Sequence, residues 1–209
     1  ISGIYKPTSG SIVFEGKSIA GKRTDEVTRA GIARTFQNIR LFGDMSVWEN
    51  LLVGRHCRLK QSVLDDLFAT PAKRREEAVA REKLENLLQL FHMEHLRDEL
   101  AKNLPYGLQR ELEIMRAMAS EPRLLLLDEP AAGMNPKETA QLTEQIQRLR
   151  ERGFTVLVVE HDMRLVMNIC DRITVLNYGK KIAEGAPREI QTHPEVIQAY
   201  LGKQVRASA

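Results

Sequence analysis

The sequence predicts an α/β fold, in which buried parallel strands alternate with helices and one helical segment is inserted between two strands. Four consecutive leucines, Leu124 to Leu127, are typical of a short strand buried on both faces of a parallel sheet. A second apolar run, Thr155 to Val159, predicts another buried strand. From residue 46 to residue 119 the apolar side chains instead recur at the helical period. We therefore expect a core formed by residues 1–43 and 120–209, with a helical subdomain at 44–119.

Composition places the chain among ordinary globular proteins. Its 209 residues, 43% of them hydrophobic, can bury one substantial core or one core plus a small subdomain. A net charge of +3 is too small to favour nucleic acid or a membrane surface as the partner. No apolar run approaches the roughly 18 residues of a membrane span, so any membrane role would require a partner. The two cysteines, Cys57 and Cys170, fit a reduced cytosolic setting better than a disulfide framework.

The first 45 residues predict short strands around one helix. A strand is expected at Ser11 to Glu15, before the turn at Gly16. A helix from Asp25 to Ala30 should end at Gly31, and Ile32 to Phe36 should form the next strand. Gln37 follows at the exit of that strand.

Helix signals dominate the middle of the chain and return after the leucine strand. Ser46 and Glu49 have the spacing of a capping box, and Pro71 opens a long helix that runs to about Leu90. One face of that helix is apolar, with Ala80, Leu84, Leu87, Leu88 and Phe91. Its charged residues are expected to be solvated: Lys73, Arg74, Arg75, Glu76 and Glu77. Asn135 should cap a further helix that ends near Gly153.

An acidic pair, Asp128 and Glu129, follows the leucine strand directly. This position is the carboxyl end of the strand, where open α/β sheets bind their ligands. The pair can be read simply as two solvated acids at the end of a buried strand. It can also be read as the acidic motif of a nucleotide triphosphatase, in which Asp128 holds Mg²⁺ and Glu129 polarises the attacking water.

The order of the polar motifs is more specific than any one of them. Gln37 leaves a strand, a helical insert follows, and Asn103-Leu-Pro-Tyr-Gly-Leu-Gln-Arg110 opens a helix. The acidic pair then ends one strand, and His161 comes after the next. Over essentially the whole chain, this order resembles the ATP-binding subunit of an ABC transporter.

The resemblance implies a P-loop NTPase (RecA-like) core sheet with an inserted helical subdomain, and it implies ATP and Mg²⁺ as cofactors. Gln37, Glu129 and His161 match the family's Q-loop, catalytic glutamate and switch histidine, and so are the candidate catalytic residues. Asp128 and Gln37 are the candidate metal ligands. Residues 104–108 match the family's signature motif and residues 132–135 match its D-loop. These two motifs imply a nucleotide-binding set that consists of Leu104, Tyr106, Gly107, Leu108 and Asn135.

Three segments point to a subfamily. Residues 34–42 (Arg-Thr-Phe-Gln-Asn-Ile-Arg-Leu-Phe), residues 129–136 (Glu-Pro-Ala-Ala-Gly-Met-Asn-Pro) and residues 199–202 (Ala-Tyr-Leu-Gly) look like the ATPases of branched-chain amino-acid importers. The extended insert around residues 69–75 is similar to that group as well. The alternatives are an ATPase for another small solute such as urea or amides, a weakly hydrolysing scaffold subunit, and a soluble ABC ATPase of DNA repair or translation.

The family resemblance also implies partners. ABC ATPases work as head-to-tail pairs, so a second ATPase subunit, identical or related, is expected. Transmembrane permease subunits should contact the surface from Gln37 to Phe42, and a solute-binding protein should act indirectly, with no nucleic acid involved. The expected location is peripheral, at the cytoplasmic face of the inner or plasma membrane.

Three departures from the family pattern affect the site. Pro105 stands where the signature has serine, and it has neither a hydroxyl nor a backbone N–H to donate to phosphate. We expect the Tyr106 ring to cover the nucleotide or the dimer seam, while backbone amides there and at Gly107 hold phosphate. Asn135 replaces the usual D-loop aspartate. The phosphate loop is expected before a helix that would end at Ile1 to Gly3, so residues 1–209 alone should be inactive.

Overall fold

The computed structural model describes residues 1–58 and 71–199, with side chains from residue 74 onward in the second range. The start of the predicted insert at 69–75 and the end of the segment at 199–202 lie outside the described residues. The chain forms two compact units, Ile1–Val159 and Glu160–Ala209. The predicted division into a core and a helical subdomain remains a prediction.

A small hairpin and one helix precede the main sheet. Strands β1 (Val13–Phe14) and β2 (Lys17–Ser18) pair antiparallel, so the predicted strand is shorter than expected. Helix α1 (Thr24–Ala30) ends at Gly31, whose φ of 106° lies in the left-handed region that favours glycine. Residues 1–3 are not helical, although Gly3 has a φ of 79°.

Three parallel strands form the main sheet of the first unit: β3 (Ile32–Arg34), β4 (Leu124–Asp128) and β5 (Thr155–Val159). Strand β4 lies between the other two, and its Asp128 is in register with Val159 of β5. Leu125 and Leu126 point to opposite faces of the sheet and are 0% and 8% exposed, which confirms a strand buried on both faces.

The prediction that Thr155 to Val159 is buried is wrong. Leu157 and Val159 are 40% and 54% exposed. Among the described residues β5 pairs only with β4, which leaves one edge and part of the apolar surface of β5 uncovered within those residues.

The helices between β3 and β4 pack on one another. They are α2 (Val47–Arg55), α3 (Pro71–Leu90) and α4 (Tyr106–Ala119), joined by short 3₁₀ turns at His56–Arg58, Glu94–Leu96 and Ala101–Asn103. The capping box at the start of α2 is confirmed, because the Ser46 amide donates to Glu49 Oε2 at 2.7 Å and the Glu49 amide donates to Ser46 Oγ at 3.2 Å. In α3, Ala80, Leu84 and Leu88 are buried as predicted.

Helix α5 (Pro136–Glu151) connects β4 to β5. Asn135 caps it as predicted, since its Oδ1 accepts from the amides of Lys137 and Glu138 at 2.9 and 3.0 Å. The buried face of α5 includes Leu142 and Ile146, and the left-handed Gly153 follows the helix.

The second unit has its own small core. It contains α6 (Met163–Ile169), β6 (Ile173–Asn177), β7 (Lys180–Gly185), α7 (Pro187–Gln191) and a helical segment at 194–199. The strands β6 and β7 pair antiparallel, with a register shift between Val175 and Leu176. Five residues form the buried cluster: Val166, Ile173, Ala183, Ile190 and Val196. Among the described residues, no helix combines the length and apolarity needed to cross a membrane.

Candidate functional site

The acidic pair lies where the sheet predicts it, at the carboxyl end of β4. Asp128 is the last residue of the strand, and the Glu129 amide donates to the Val159 carbonyl at 2.8 Å, so Glu129 is still attached to β5. Glu129 has a φ of 44°, in the left-handed region that non-glycine residues rarely adopt. Such strained backbone clusters at functional sites, which supports a special role for this glutamate.

Gln37 and Glu129 meet directly, although 92 positions separate them in the sequence. Gln37 Nε2 donates to Glu129 Oε2 at 2.7 Å. The backbone reaches this point because β3 and β4 are parallel neighbours, so Gln37 and Glu129 leave the same edge of the sheet. Two of the three predicted catalytic residues are therefore brought together.

A third side chain, Arg34, completes the charge pattern at this edge. Its Nη2 donates to Asp128 Oδ2 at 2.6 Å, and its Nη1 donates to Ser2 Oγ at 2.9 Å. No role is predicted for Arg34 from the sequence. A signal was available, because an arginine inside an otherwise apolar strand needs a counter-charge and the acidic pair ends a strand of the same sheet.

The oxygen donors at this edge fit Mg²⁺. Asp128 offers a carboxylate and Gln37 an amide oxygen, and hard cations prefer such ligands. The described residues contain no group of three or more His, Cys, Asp or Glu side chains placed to hold a metal ion. Mg²⁺ is usually bound by one or two carboxylates together with water and substrate phosphates. The ion would meet a carboxylate that Arg34 already contacts.

The signature motif contacts the D-loop of the same chain. Tyr106 Oη donates to the Ala132 carbonyl at 2.9 Å. A Cβ on the left-handed Gly133 would lie 3.3 Å from that hydroxyl, and a Cβ on Gly107 would lie 3.1 Å from the Glu138 side chain. A Cβ at either position would force its neighbour to move by a few tenths of an ångström, and the positive φ of Gly133 favours glycine there in addition. The Tyr106 ring is 42% exposed, so part of it still faces solvent.

The other predicted nucleotide-binding residues differ in burial and in the hydrogen bonds that they already make. The Leu104 side chain is buried at 5% exposure, and its carbonyl accepts from Gln109 Nε2 at 2.8 Å. Leu108 is half-buried in the first turn of α4. Pro105 occupies the N-cap position of that helix and makes no side-chain capping hydrogen bond. The Asn135 amide oxygen is engaged by the two backbone amides that it caps.

His161 belongs to the second unit. Its side chain is 76% exposed, and its backbone amide donates to Glu160 Oε2 at 3.1 Å. Asp162, the next residue, caps α6 by accepting from the Arg164 amide at 2.8 Å. This geometry fixes the backbone beside the histidine and leaves its ring accessible.

Two family models match the sequence. The model described as "ABC transporter" matches residues 1–132, and the one described as "Branched-chain amino acid ATP-binding cassette transporter" matches residues 180–206.

Curated relatives carry transport names. The branched-chain amino acid transport ATP-binding protein BraF of Pseudomonas aeruginosa is 48% identical over 97% of this chain and 80% of its own length. LivG of Escherichia coli K12 is 45% identical with the same coverage, and a probable LivG of Archaeoglobus fulgidus is 37% identical over 98% of this chain and 78% of its own.

Solved structures match the fold of this chain over nearly its whole length. A nucleotide-free ATP-binding cassette from an ABC transporter superposes with a TM-score of 0.79 at 32% identity, covering 96% of this chain and 80% of that one. An ADP-bound conformation of such a cassette gives a TM-score of 0.80 at 32% identity, with coverages of 97% and 80%. These likenesses confirm the predicted P-loop NTPase fold.

The family match, the curated relatives and the solved structures agree with the motif order and with the geometry of Gln37, Glu129 and Asp128. The chain therefore belongs to the ATP-binding subunits of ABC transporters.

Proposed function

We propose that the protein hydrolyses ATP with Mg²⁺ and that this hydrolysis drives a membrane importer of branched-chain amino acids. The observation that carries the proposal is the 2.7 Å hydrogen bond from Gln37 to Glu129, next to Asp128 at the carboxyl end of a parallel sheet. Phosphoryl transfer to water requires positioned groups and charge stabilisation more than covalent chemistry, and this edge offers both.

Each residue has a distinct role in the proposal. Glu129 is the general base that accepts the proton of the attacking water, and Gln37 orients that water or the metal through its amide. Asp128 and Gln37 would hold Mg²⁺, which would supply neutralisation of charge on the phosphate oxygens. His161 donates a ring N–H to the γ-phosphate.

The signature residues serve a second nucleotide in a head-to-tail pair of ATPase subunits. Tyr106, Gly107, Leu104, Leu108 and Asn135 form the candidate surface, with backbone amides in place of the missing signature hydroxyl. Tyr106 links this surface to the D-loop of its own chain through the Ala132 carbonyl, which supports joint movement of the two loops.

The solute class rests on the names of relatives and on the 180–206 match. An export-system relative, LptB of Haemophilus influenzae, is 33% identical over 99% of this chain, lower than the 45–48% of the branched-chain amino acid relatives. Urea and amides remain alternative solutes, because the ATPase itself does not contact the cargo.

The partners follow from the same proposal. The surface from Gln37 to Phe42 meets permease subunits at the cytoplasmic face of the membrane, and the Phe42 side chain, 46% exposed, provides an apolar contact. A solute-binding protein acts from the other side without touching this chain.

The full-length protein, co-expressed with its permease subunits and reconstituted in vesicles, tests the proposal. Mg-ATP hydrolysis should rise when the binding protein is loaded with leucine, isoleucine or valine, and not with urea or acetamide. Stimulation by urea or acetamide alone would contradict the amino-acid assignment. Absence of Mg-dependent hydrolysis in the assembled transporter would favour the scaffold alternative.

A further inference from the structure

An ion pair lies completely buried on α4, just past the signature motif. Arg110 Nη1 and Glu113 Oε2 are 2.8 Å apart, and their side chains are 0% and 2% exposed. Removing two charges from water costs several kcal/mol for each ion, and apolar replacements of buried pairs are often no less stable. Stability alone is therefore a weak reason for the pair.

The two Nη atoms of the guanidinium are directed at the backbone that carries Gln37. Nη1 donates to the Phe36 carbonyl at 2.7 Å, and Nη2 donates to the Gln37 carbonyl at 2.6 Å. The partner acid contacts the same loop, because the Arg40 amide donates to Glu113 Oε1 at 3.3 Å. The buried pair thus holds residues 36–40 at three backbone positions.

The Gln37 side chain projects from this fixed backbone in the other direction. Gln37 is exposed, and its amide reaches Glu129 at 2.7 Å. A continuous path of hydrogen bonds therefore runs from Glu113 through Arg110 and the Gln37 backbone to Glu129. The signature helix and the candidate base are the two ends of this path.

We infer that Arg110, oriented by Glu113, is a positioning residue that sets the place of Gln37 relative to Glu129. The inference rests on the proposed ATPase function and adds a residue to it. Arginine suits the task because its planar fork holds two carbonyls and a carboxylate at once, which the single ammonium of lysine cannot do. Any shift of α4 would carry the Gln37 backbone with it.

The central variant is Arg110→Lys in the full-length protein, which keeps the charge opposite Glu113 and removes the fork. We expect kcat for ATP to fall about 10- to 100-fold, the range that a misplacement near 1 Å can cause. KM for ATP should change little, because the Arg110 side chain is 0% exposed and offers no surface to a nucleotide.

A double-mutant cycle with Gln37→Ala separates positioning from general damage. If Arg110 acts through Gln37, Arg110→Lys should lower kcat no further once the Gln37 side chain is gone. Full additivity of the two effects on kcat would overturn the inference.

Arg55→Lys is the matched control, because Arg55 is a second buried arginine in the same unit, 7% exposed and paired with Glu121 rather than with the Gln37 loop. It should lower the melting temperature without the non-additive effect on kcat. If Arg110→Lys does not fold, Glu113→Gln takes its place in the cycle, with a smaller effect and the same non-additivity expected.

Amide hydrogen exchange over residues 36–42 provides a readout that does not require turnover. Arg110→Lys should accelerate exchange there, while Arg55→Lys should not. Unchanged exchange in the Arg110 variant would overturn the inference even if the wild type hydrolyses ATP. A wild type without hydrolysis would contradict the proposed function instead, and exchange would still decide the role of Arg110.

Discussion

Glu129 combines three features that rarely coincide in one residue. Its backbone is left-handed, its amide is tied to the neighbouring strand, and its carboxylate accepts from Gln37. The strained turn aims the side chain away from the buried strand and towards the ligand edge of the sheet. The Asp128 carboxylate beside it is compensated by Arg34, so the two acids are in different electrostatic environments.

A different glutamate, Glu111, should make stability depend on pH. It lies on α4 at 8% exposure, and burial raises the pKa of its carboxyl from 4.5 to about 7. A carboxyl with a raised pKa in the folded state stabilises the fold below its ordinary pKa, and that contribution is lost as the pH rises through about 7.

Glu111→Gln removes the charge that burial disfavours. The difference in unfolding free energy between the variant and wild type should grow in favour of the variant by about 2–3 kcal/mol as the pH rises from 5 to 8. Urea denaturation at both pH values measures the change, with the exposed Glu82→Gln on α3 as the control for loss of one carboxylate. If the unfolding free energies of wild type and variant differ by the same amount at both pH values, Glu111 does not take up a proton in the folded state.

At the scale of elements, α4 connects the parts of the first unit. Its first turn contacts the D-loop through Tyr106, its buried pair holds the loop after β3, and its last turns pack against α2. The contact with α2 is unusually close, because a Cβ on Gly54 would overlap the carbonyl oxygen of Arg116.

Gly54→Ala tests that close approach, because helix propensity and overpacking predict opposite signs for the change in unfolding free energy. In an isolated helix the change should stabilise by up to about 1 kcal/mol, because alanine has the higher helix propensity. Here we expect destabilisation by about 1–3 kcal/mol from overpacking, measured by thermal or urea unfolding. Gly43→Ala is the control, since its Cβ would meet only Lys102 Cβ at an ordinary 3.5 Å. A stabilised Gly54→Ala would show that α2 and α4 lie farther apart.

The elements that the sequence could predict are those with local signals. The leucine run, the Ser46 and Asn135 caps and the glycine after α1 all depend on neighbouring residues, and the structure has each of them. The exposure of Leu157 and Val159 in β5 could not be predicted, because the sequence of an apolar strand does not say which neighbouring elements cover it. No local sequence pattern encodes a contact between residues that are far apart in the chain. The contacts of Tyr106 with Ala132 and of Arg110 with Gln37 are of this kind.

At the scale of the whole molecule, the assignment to a transporter ATPase depends on motif order and relatives more than on any pocket. The Gln37–Glu129 contact is the point where the family pattern and the geometry coincide. The roles of Asp128, Glu129 and the signature residues in a two-subunit cycle remain predictions.

The most direct test of the central claim compares Glu129→Gln and Asp128→Asn with wild type in the full-length protein and its complex. Glutamine keeps the size and hydrogen-bonding reach of Glu129 but cannot accept the proton, so turnover should fall about 10²–10⁴-fold while ATP binding survives. An ATP-dependent dimer should then persist on size exclusion with Mg-ATP, because bound ATP holds the two subunits together. Asp128→Asn should instead lose Mg²⁺ affinity and with it the stable ATP state. Phosphate release within a few-fold of wild type from Glu129→Gln would contradict the assignment of Glu129 as the base.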